Sequence, residues 1–456
     1  MHSLFTLIYK LKTYKSLILQ TIKLAYPITI GQLGLVLMGA IDTIMLGRIG
    51  TDVMDAAAVG NAIFFLIMLI GIGLLYAVGT FAAIADGEGK PQQCIPIFFS
   101  SLRVSIWVSV AIILLNILLY YNFSIFGQTP FVSAQGAKFL WIANLGVPAI
   151  MFYNSGKQML DGLGKTQIGM YVTFIGVSLN IFLNWIMIFG HWGCEPMGLV
   201  GAAWATNISR FVMAILMLAF AWYHPLVEKL KKLKIQYEKY DWRILKTGLP
   251  IGLTFFFEMG AFTAGLIMAG WKDETHQGAH QIAINLASLT YMFITGVAAA
   301  GNIMVGNYYG AKDKINVRKA GFAAIIVGLG IEIIFAIFFI LLGSVLPLLY
   351  TDDVAVIEIA QKLLYLAAFF QLSDGLQAVG AGILRGIKDT KTTGIIAFIA
   401  YWIIMVPGAY FLCFKLNWGI EGIWFAFIFG LTFAAIWLIN RFFNQSLYKN
   451  LTFKND

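Results

Sequence analysis

Residues 24–48 read LAYPITIGQLGLVLMGAIDTIMLGR, and this segment is the clearest indication of the kind of protein the chain forms. It is apolar for most of its length, and its length is about what an α-helix needs to cross a bilayer. Pro27 and Asp42 interrupt it and no small-residue cleavage site ends it, so we interpret it as a retained membrane helix and not a removed signal peptide. Four lysines precede this segment: Lys10, Lys12, Lys15 and Lys23.

The composition of the whole chain extends this interpretation. Of the 456 residues, 60% are hydrophobic and only 12% are charged, whereas a soluble domain is about 45–50% apolar and about 25% charged. This excess excludes a soluble enzyme, a disordered chain and a fibrous protein. The chain is therefore predicted to be an all-α integral membrane protein.

Apolar windows between polar or Gly/Pro-rich breaks predict twelve membrane helices. Their approximate limits are 20–46, 59–84, 95–120, 132–156, 167–190, 198–223, 244–270, 278–305, 320–348, 356–383, 393–415 and 420–444. The N-terminal tail and the alternate loops on its side carry 25 of the 31 basic residues, and the opposite loops carry five. This positive-inside bias predicts a multi-pass protein of the plasma membrane, a bacterial inner membrane, with both termini in the cytoplasm.

An internal repeat divides the chain into two six-helix halves. LAYPITIG (24–31) resembles KTGLPIGL (246–253), LDGLGKT (160–166) resembles LRGIKDT (384–390), and GLVGAAWA (198–205) resembles GIEGIWFA (419–426). Six helices per half bring each half back to the side on which it began, so the repeats are parallel. We predict an N-terminal lobe at 1–227, a basic cytoplasmic linker at 228–243 and a C-terminal lobe at 244–456, with substrate sites between the halves.

Ionisable residues within the spans are the main functional candidates, because each costs roughly 2.5–3.5 kcal/mol at a helix centre. The acids among them are Asp42, Glu258, Glu332 and Asp374, and Arg210 is the basic one. A buried carboxyl group can hold a proton, Na⁺ or a cationic ligand in turn, which is the physical basis of exchange. The alternative is a neutral carboxyl that only braces the helix bundle.

Polar residues in the fifth and sixth predicted helices could complete a site around Asp42. Asn180 and Asn184 are four residues apart and so share a helix face, and Thr206 and Asn207 follow in the next helix. Carboxylate, amide and hydroxyl oxygens suit a hard cation such as Na⁺. The alternative is that these amides join helices to one another.

Motifs typical of enzymes and metal sites are weak or absent. The chain contains neither a GxSxG nor an HExxH sequence, so no enzymatic activity is predicted. His276 and His280 are four apart, but they lie at the start of a predicted helix beside an exterior loop, so no metal site and no cofactor are expected beyond a transported ion.

These segments resemble the multidrug and toxic compound extrusion (MATE) family, in particular its NorM-like branch. The resemblance is carried by residues 24–48, SLNIFLNWIMIFG (178–190), GLVGAAWAT (198–206), GLPIGLTFFFE (248–258) and SDGLQAVGAGILRGIKDTK (373–391). It covers nearly the whole chain and implies twelve helices in two pseudo-symmetric six-helix bundles around a central cleft. Asn184 stands where DinF-like relatives have Asp, which favours the NorM-like branch.

The resemblance also implies an activity and its residues. The expected activity is secondary antiport, in which organic cations or drugs leave as Na⁺ or H⁺ enters, by alternating access. Cation or substrate binding is expected at Glu258 and Asp374 in the C-terminal lobe. The corresponding N-lobe site would use Asp42, Asn180, Asn184 and Thr206. The alternative is a flippase for lipid-linked saccharides or other amphiphiles. A monomer in contact with membrane lipids, without nucleic acid, is expected.

Overall fold

The structure is a computed structural model that describes residues 2–223 and 238–446, with side chains from residue 14 onward. The described chain is built from thirteen helices. They are α1 (His2–Gly47), α2 (Thr51–Gly87), α3 (Cys94–Tyr121), α4 (Pro130–Leu145), α5 (Val147–Gly162), α6 (Thr166–Phe189), α7 (Gly198–Tyr223), α8 (Asp241–Gly270), α9 (Glu274–Gly310), α10 (Lys314–Leu342), α11 (Val354–Gly386), α12 (Thr390–Lys415) and α13 (Ile420–Ser446).

The number of membrane spans agrees with the sequence prediction. Eleven of the described helices are long and apolar enough to cross a bilayer, and α4 and α5 together supply a twelfth span. The all-α membrane fold is thus confirmed.

The predicted fourth span, 132–156, differs from the structure because it is not one continuous helix. The axes of α4 and α5 meet at an angle of 45°. Pro148 stands in the first turn of α5 and lacks the N–H that would continue the helical hydrogen bonds of α4. At the break, Gly146 leaves room for the amide of Asn207, which donates to the carbonyl oxygen of Ile142.

Helix α12 departs from regular α-helical geometry in two places. It forms π-helical turns over Ile399–Met405 and Phe411–Lys415. π-helical turns are rare in proteins, but those that occur are often found at functional sites, because the inserted residue turns its neighbours to a different face of the helix. The first of them carries Tyr401, which is fully buried.

The helices form two compact units, which we describe separately. The N-terminal unit comprises Ile30–Gly252, and the C-terminal unit comprises Met1–Thr29 with Leu253–Asp456. One cluster of buried side chains in the N-terminal unit joins the end of α1 to α2, α4, α6 and α7 through Leu46, Ala56, Val132, Ile188 and Leu199. The core of the C-terminal unit is aromatic at its centre, where Phe370, Tyr401, Trp424 and Phe427 are buried together.

These units differ from the predicted lobes at the first helix of each half. The beginning of α1 packs in the C-terminal unit, where Thr21 contacts Met304 and Ala25 lies against Gly296. The beginning of α8 packs in the N-terminal unit, where Gly248 lies against Leu74. Each change of unit falls just after the proline of its helix, Pro27 or Pro250, and a proline removes one helical hydrogen bond and bends the axis. Of the predicted linker 228–243, the segment 228–237 lies outside the described residues.

The contact at Gly248 yields a stability prediction. A methyl group at position 248 would overlap the backbone carbonyl of Leu74, which cannot rotate away as a side chain could. We expect Gly248→Ala to destabilise the protein by about 1–3 kcal/mol through overpacking. Thermal unfolding of the purified protein, followed by tryptophan fluorescence, measures this effect. Gly39→Ala is the matched control, because position 39 has open space around it and alanine favours the helix. Equal unfolding temperatures for the two variants would contradict the prediction.

Candidate cation-binding sites

The two acids predicted for the C-terminal lobe meet in the C-terminal unit. Glu258 lies in the middle of α8 and Asp374 in the middle of α11, and their side chains are 8% and 5% exposed. The carboxylates are close enough for each negative charge to oppose the other. One oxygen of Asp374, Oδ1, has no hydrogen-bond partner among the described residues. The structure therefore brings these predicted residues into one buried acidic pair.

Two tyrosines that sequence analysis missed complete the surroundings of Glu258. The hydroxyl of Tyr291, on α9, lies near the carboxylate of Glu258. The hydroxyl of Tyr401, in the first π-helical turn of α12, also lies near this carboxylate, and it has no hydrogen-bond partner among the described residues. The chain holds 19 tyrosines, so composition could not single these two out. Phenol oxygens next to a carboxylate can hold its proton or help to coordinate a cation.

Glu332 is the third acid of this group. It lies on α10, is 1% exposed, and adds a further negative charge that acts on Asp374. Sequence analysis identified Glu332 as an ionisable residue in a span, but no polar neighbour in its own helix marked it as part of a site. Its place beside Asp374 depends on the packing of α10 against α11.

Arg385 supplies the positive charge that acts on Glu258. It lies near the end of α11, is 5% exposed, and stacks its guanidinium over the ring of Phe255, with 5.7 Å to the centroid. Phe255 and Glu258 are three residues apart on α8, so they share one helix face. The guanidinium of Arg385 thus acts on Glu258, whereas the acids Glu258 and Glu332 both act on Asp374.

The N-terminal unit gathers the four predicted residues around Asp42. Nδ2 of Asn184 donates to Oδ1 of Asp42, and Oγ1 of Thr206 lies 3.1 Å from Oδ2 of Asp42. Asn180 joins the group at one remove: its Oδ1 accepts from Asn184 over 3.2 Å, and its Nδ2 lies 3.3 Å from Oγ1 of Thr206. The amide of Asn184 favours the ionised form of Asp42, whereas burial of the carboxyl group favours its neutral form.

Arg210 adds a positive charge to the Asp42 site. It follows Thr206 by four residues on α7, stacks over the ring of Phe64 at 5.2 Å, and its charge acts on Asp42. Asn207, which the sequence placed among the possible companions of Asp42, instead hydrogen-bonds to the backbone of Ile142. Asp42 thus faces one guanidinium and one amide donor, and the single proton of the Thr206 hydroxyl can go either to Asp42 or to the carbonyl oxygen of Ala202, which lies 2.9 Å away.

A buried ion pair in the N-terminal unit corrects the interpretation of the chain near residue 160. Lys157 is one of the 25 basic residues that the positive-inside count assigned to the tail and the alternate loops, and Asp161 follows it by four residues. Both lie within α5 and are buried, with Nζ of Lys157 2.6 Å from Oδ2 of Asp161. Oδ1 of Asp161 has no hydrogen-bond partner among the described side chains and backbone. The burial of Lys157 and Asp161 could not be predicted from their polar character, because hydropathy cannot distinguish a solvated charge from a paired one.

The two histidines of HQGAH (276–280) take separate roles. Asp273 caps α9 by accepting a hydrogen bond from the backbone N–H of His276 over 2.8 Å, and this bond, together with the contact to the His276 ring, lowers the pKa of the exposed Asp273 carboxyl. His280 is buried and accepts a hydrogen bond from Nε1 of Trp424 over 3.2 Å. Within the described ranges, no three His, Cys, Asp or Glu side chains are grouped as metal ligands.

These features define a polytopic membrane protein with buried acidic residues inside its spans, which is the general form of a secondary transporter. The family model described as MatE matches residues 27–186 and again residues 250–411. The two matches begin at Pro27 and Pro250, the prolines that the internal repeat aligns. The chain belongs to the MATE family of transporters.

Named relatives and solved structures agree with this assignment. The chain is 34% identical to the multidrug resistance protein MdtK of Photorhabdus laumondii over 433 residues, which is 92% of this chain and 93% of the relative. It is 33% identical to MdtK of Yersinia enterocolitica over the same shares of the two chains. The crystal structure of the eukaryotic MATE transporter AtDTX14 superposes with a TM-score of 0.87 at 16% identity, covering 96% of this chain and 97% of that one, and so shows the same fold.

Proposed function

We propose that this protein exports organic cations and drugs in exchange for inward Na⁺ or H⁺, by alternating access. The proposed location is a bacterial inner membrane, with both termini in the cytoplasm. The names of the MdtK relatives, which are multidrug resistance proteins, support the substrate class. The positive-inside bias of the loops supports the orientation.

The observation that carries the proposal is the charge imbalance in the C-terminal unit. Glu258, Glu332 and Asp374 are buried together, and Arg385 is the cation that acts on Glu258. Burying an uncompensated negative charge in a medium of low dielectric constant is costly, so the group binds a positive guest. A proton, Na⁺ or an organic cation can each fill this role. When one of these cations is bound at the acidic group, the binding of another is disfavoured, and an exchanger requires this competition.

Charge balance also favours the C-terminal unit as the place of coupling. Asp42 in the N-terminal unit already receives a hydrogen bond from Asn184 and the charge of Arg210, so it has less need of a cation. The acids in the C-terminal unit oppose one another. We therefore assign the exchanged ion to Glu258 and Asp374 and a supporting role to the Asp42 site.

The concentration gradient of the ion supplies the driving force for a one-for-one exchange of monovalent cations, because such an exchange moves no net charge across the membrane. A tenfold gradient supplies about 1.4 kcal/mol and so supports a tenfold accumulation of the exported cation. The membrane potential contributes only when more positive charge enters than leaves, by about 2.3 kcal/mol for each extra charge at 100 mV.

Reconstitution in liposomes tests the proposal. The purified protein is placed in vesicles loaded with ethidium, and an inwardly directed Na⁺ gradient and a pH gradient are imposed in separate experiments. We expect one of the two gradients to drive ethidium movement, which would identify the coupling ion. Protein-free vesicles under the same gradients are the control. Movement under neither gradient would contradict antiport and point to a flippase.

A further inference from the structure

Glu332 is buried without the partners that a carboxylate usually has. It is 1% exposed, and its Oε2 has no hydrogen-bond partner in the described part of the chain. Its neighbours within α10, in the segment LGIEIIFA, are apolar. A carboxylate left ionised in such a place would lose its hydration without compensation, which is costly.

The fold makes specific room for this side chain. A methyl group at Gly375 of α11 would come within 2.5 Å of Cγ of Glu332, so the absence of a side chain at 375 is what admits the carboxyl group. Gly375 directly follows Asp374, whose Oδ1 is also buried and unpartnered among the described residues. Each helix of the contact between α10 and α11 therefore carries one carboxyl oxygen without a partner among the described residues: Oε2 of Glu332 on α10 and Oδ1 of Asp374 on α11.

The surroundings indicate which positive guest Glu332 can take. A sodium ion prefers several oxygen ligands, and the apolar neighbours of Glu332 within α10 offer none from their side chains. A proton needs only the carboxyl oxygen and removes the buried charge. Asp374 on α11 is the charged group that Glu332 acts on. Asp374 is in turn opposed by Glu258 on α8, and Glu258 has Arg385 on α11, Tyr291 on α9 and Tyr401 on α12 near it.

We propose that Glu332 is a proton-binding residue coupled to Asp374, and that its proton is exchanged for the cation that the C-terminal unit binds. The proton comes from water and returns to water. When a cation occupies Glu258 and Asp374, the negative charge on Asp374 is neutralised and Glu332 can release its proton. The link to organic cations rests on the proposed function, whereas proton binding by Glu332 does not.

Infrared difference spectroscopy of the purified protein through a pH titration tests proton binding directly. A protonated carboxyl group has its own carbonyl stretching band, separate from those of the ionised form and of the amides. We expect Glu332→Gln to remove one such band from the wild-type spectrum. Glu358→Gln is the matched control, since Glu358 is exposed near the beginning of α11, and it should leave the band assigned to Glu332 unchanged. A wild-type spectrum that Glu332→Gln does not alter would overturn the proposal.

A second variant keeps the test decisive if Glu332→Gln folds poorly. Gly375→Ala retains Glu332 but pushes its carboxyl group away from Asp374, so the same band should move in frequency and titrate at a different pH. A band unchanged in this variant would show that Glu332 and Asp374 are not coupled.

Ethidium binding separates this inference from the proposed function. The slope of log Kd for ethidium against pH gives the number of protons displaced, and we expect a slope smaller by about one in Glu332→Gln. Equal slopes in wild type and variant would overturn the coupling. A wild-type protein that binds no ethidium would count against the proposed function, while the infrared result would still decide proton binding.

Discussion

Asp374→Asn is expected to abolish gradient-driven ethidium efflux while the protein still reaches the membrane. The amide has nearly the same shape as the carboxyl group but cannot carry its charge or its proton. A unit negative charge on Asp374 and a cation about 6 Å away attract each other by roughly 2.8 kcal/mol at an effective dielectric constant of 20. Losing this attraction lowers the affinity for the cation about a hundredfold. Because exchange requires the cation to bind in every cycle, the loss of affinity appears as a loss of transport.

Glu258→Gln is expected to give the same loss, since Glu258 and Asp374 act on one another and would hold the same ion. Efflux from proteoliposomes with equal amounts of each protein measures the effect. Ser373→Ala is the matched control, because Ser373 is next to Asp374 in the chain. The hydroxyl of Ser373 pairs with the hydroxyl of Thr432 over 2.7 Å and not with the acidic pair. This control should retain most of its activity. Full activity in both acid variants would remove the C-terminal unit from ion coupling.

Lys157→Met is expected to be the most destabilising change in the N-terminal unit. It leaves the carboxylate of Asp161 buried and uncompensated, and breaking such a pair by removing one partner costs about 3–5 kcal/mol. Thermal unfolding of the purified protein should show a marked fall in the unfolding temperature. Protonation of Asp161 would reduce the cost, so the fall should be smaller in acidic buffer than in neutral buffer.

The double variant Lys157→Met/Asp161→Leu provides the control for that prediction. It removes both charges and replaces them with apolar side chains, which is often neutral or stabilising for a buried pair. We expect it to recover most of the stability that Lys157→Met loses. A double variant less stable than Lys157→Met would mean that the two residues contribute through contacts other than their ion pair.

The internal repeat places Asp161 and Arg385 at equivalent positions, since LDGLGKT (160–166) matches LRGIKDT (384–390). In the N-terminal unit the acid is neutralised within its own helix by Lys157. In the C-terminal unit the arginine acts on Glu258 of another helix. The same position thus carries opposite charges in the two halves. This difference supports different tasks for the two halves. The ion pair of the N-terminal unit is neutral, whereas the acidic group of the C-terminal unit still lacks positive charge.

Much of the fold could be predicted from the chain alone, because the hydrocarbon core imposes one rule on every span. Each span must satisfy its own backbone hydrogen bonds, so a long apolar segment becomes a helix whatever its neighbours are. The number of spans, the repeat that aligns Pro27 with Pro250, and the cost of Asp42, Glu258 and Asp374 in a membrane all follow from local properties of the sequence.

Contacts between distant segments could not be predicted in the same way. The bend at Gly146, the place of the first turns of α1 and α8, and the π-helical turn that directs Tyr401 toward Glu258 arise from packing between helices. Glu332 shows the difference most clearly. Its type and its position in a span are local facts, but its contact with Gly375 and its effect on Asp374 exist only once α10 packs against α11. Hydropathy sums over neighbours along the chain, whereas the charge balance of a site sums over neighbours in space.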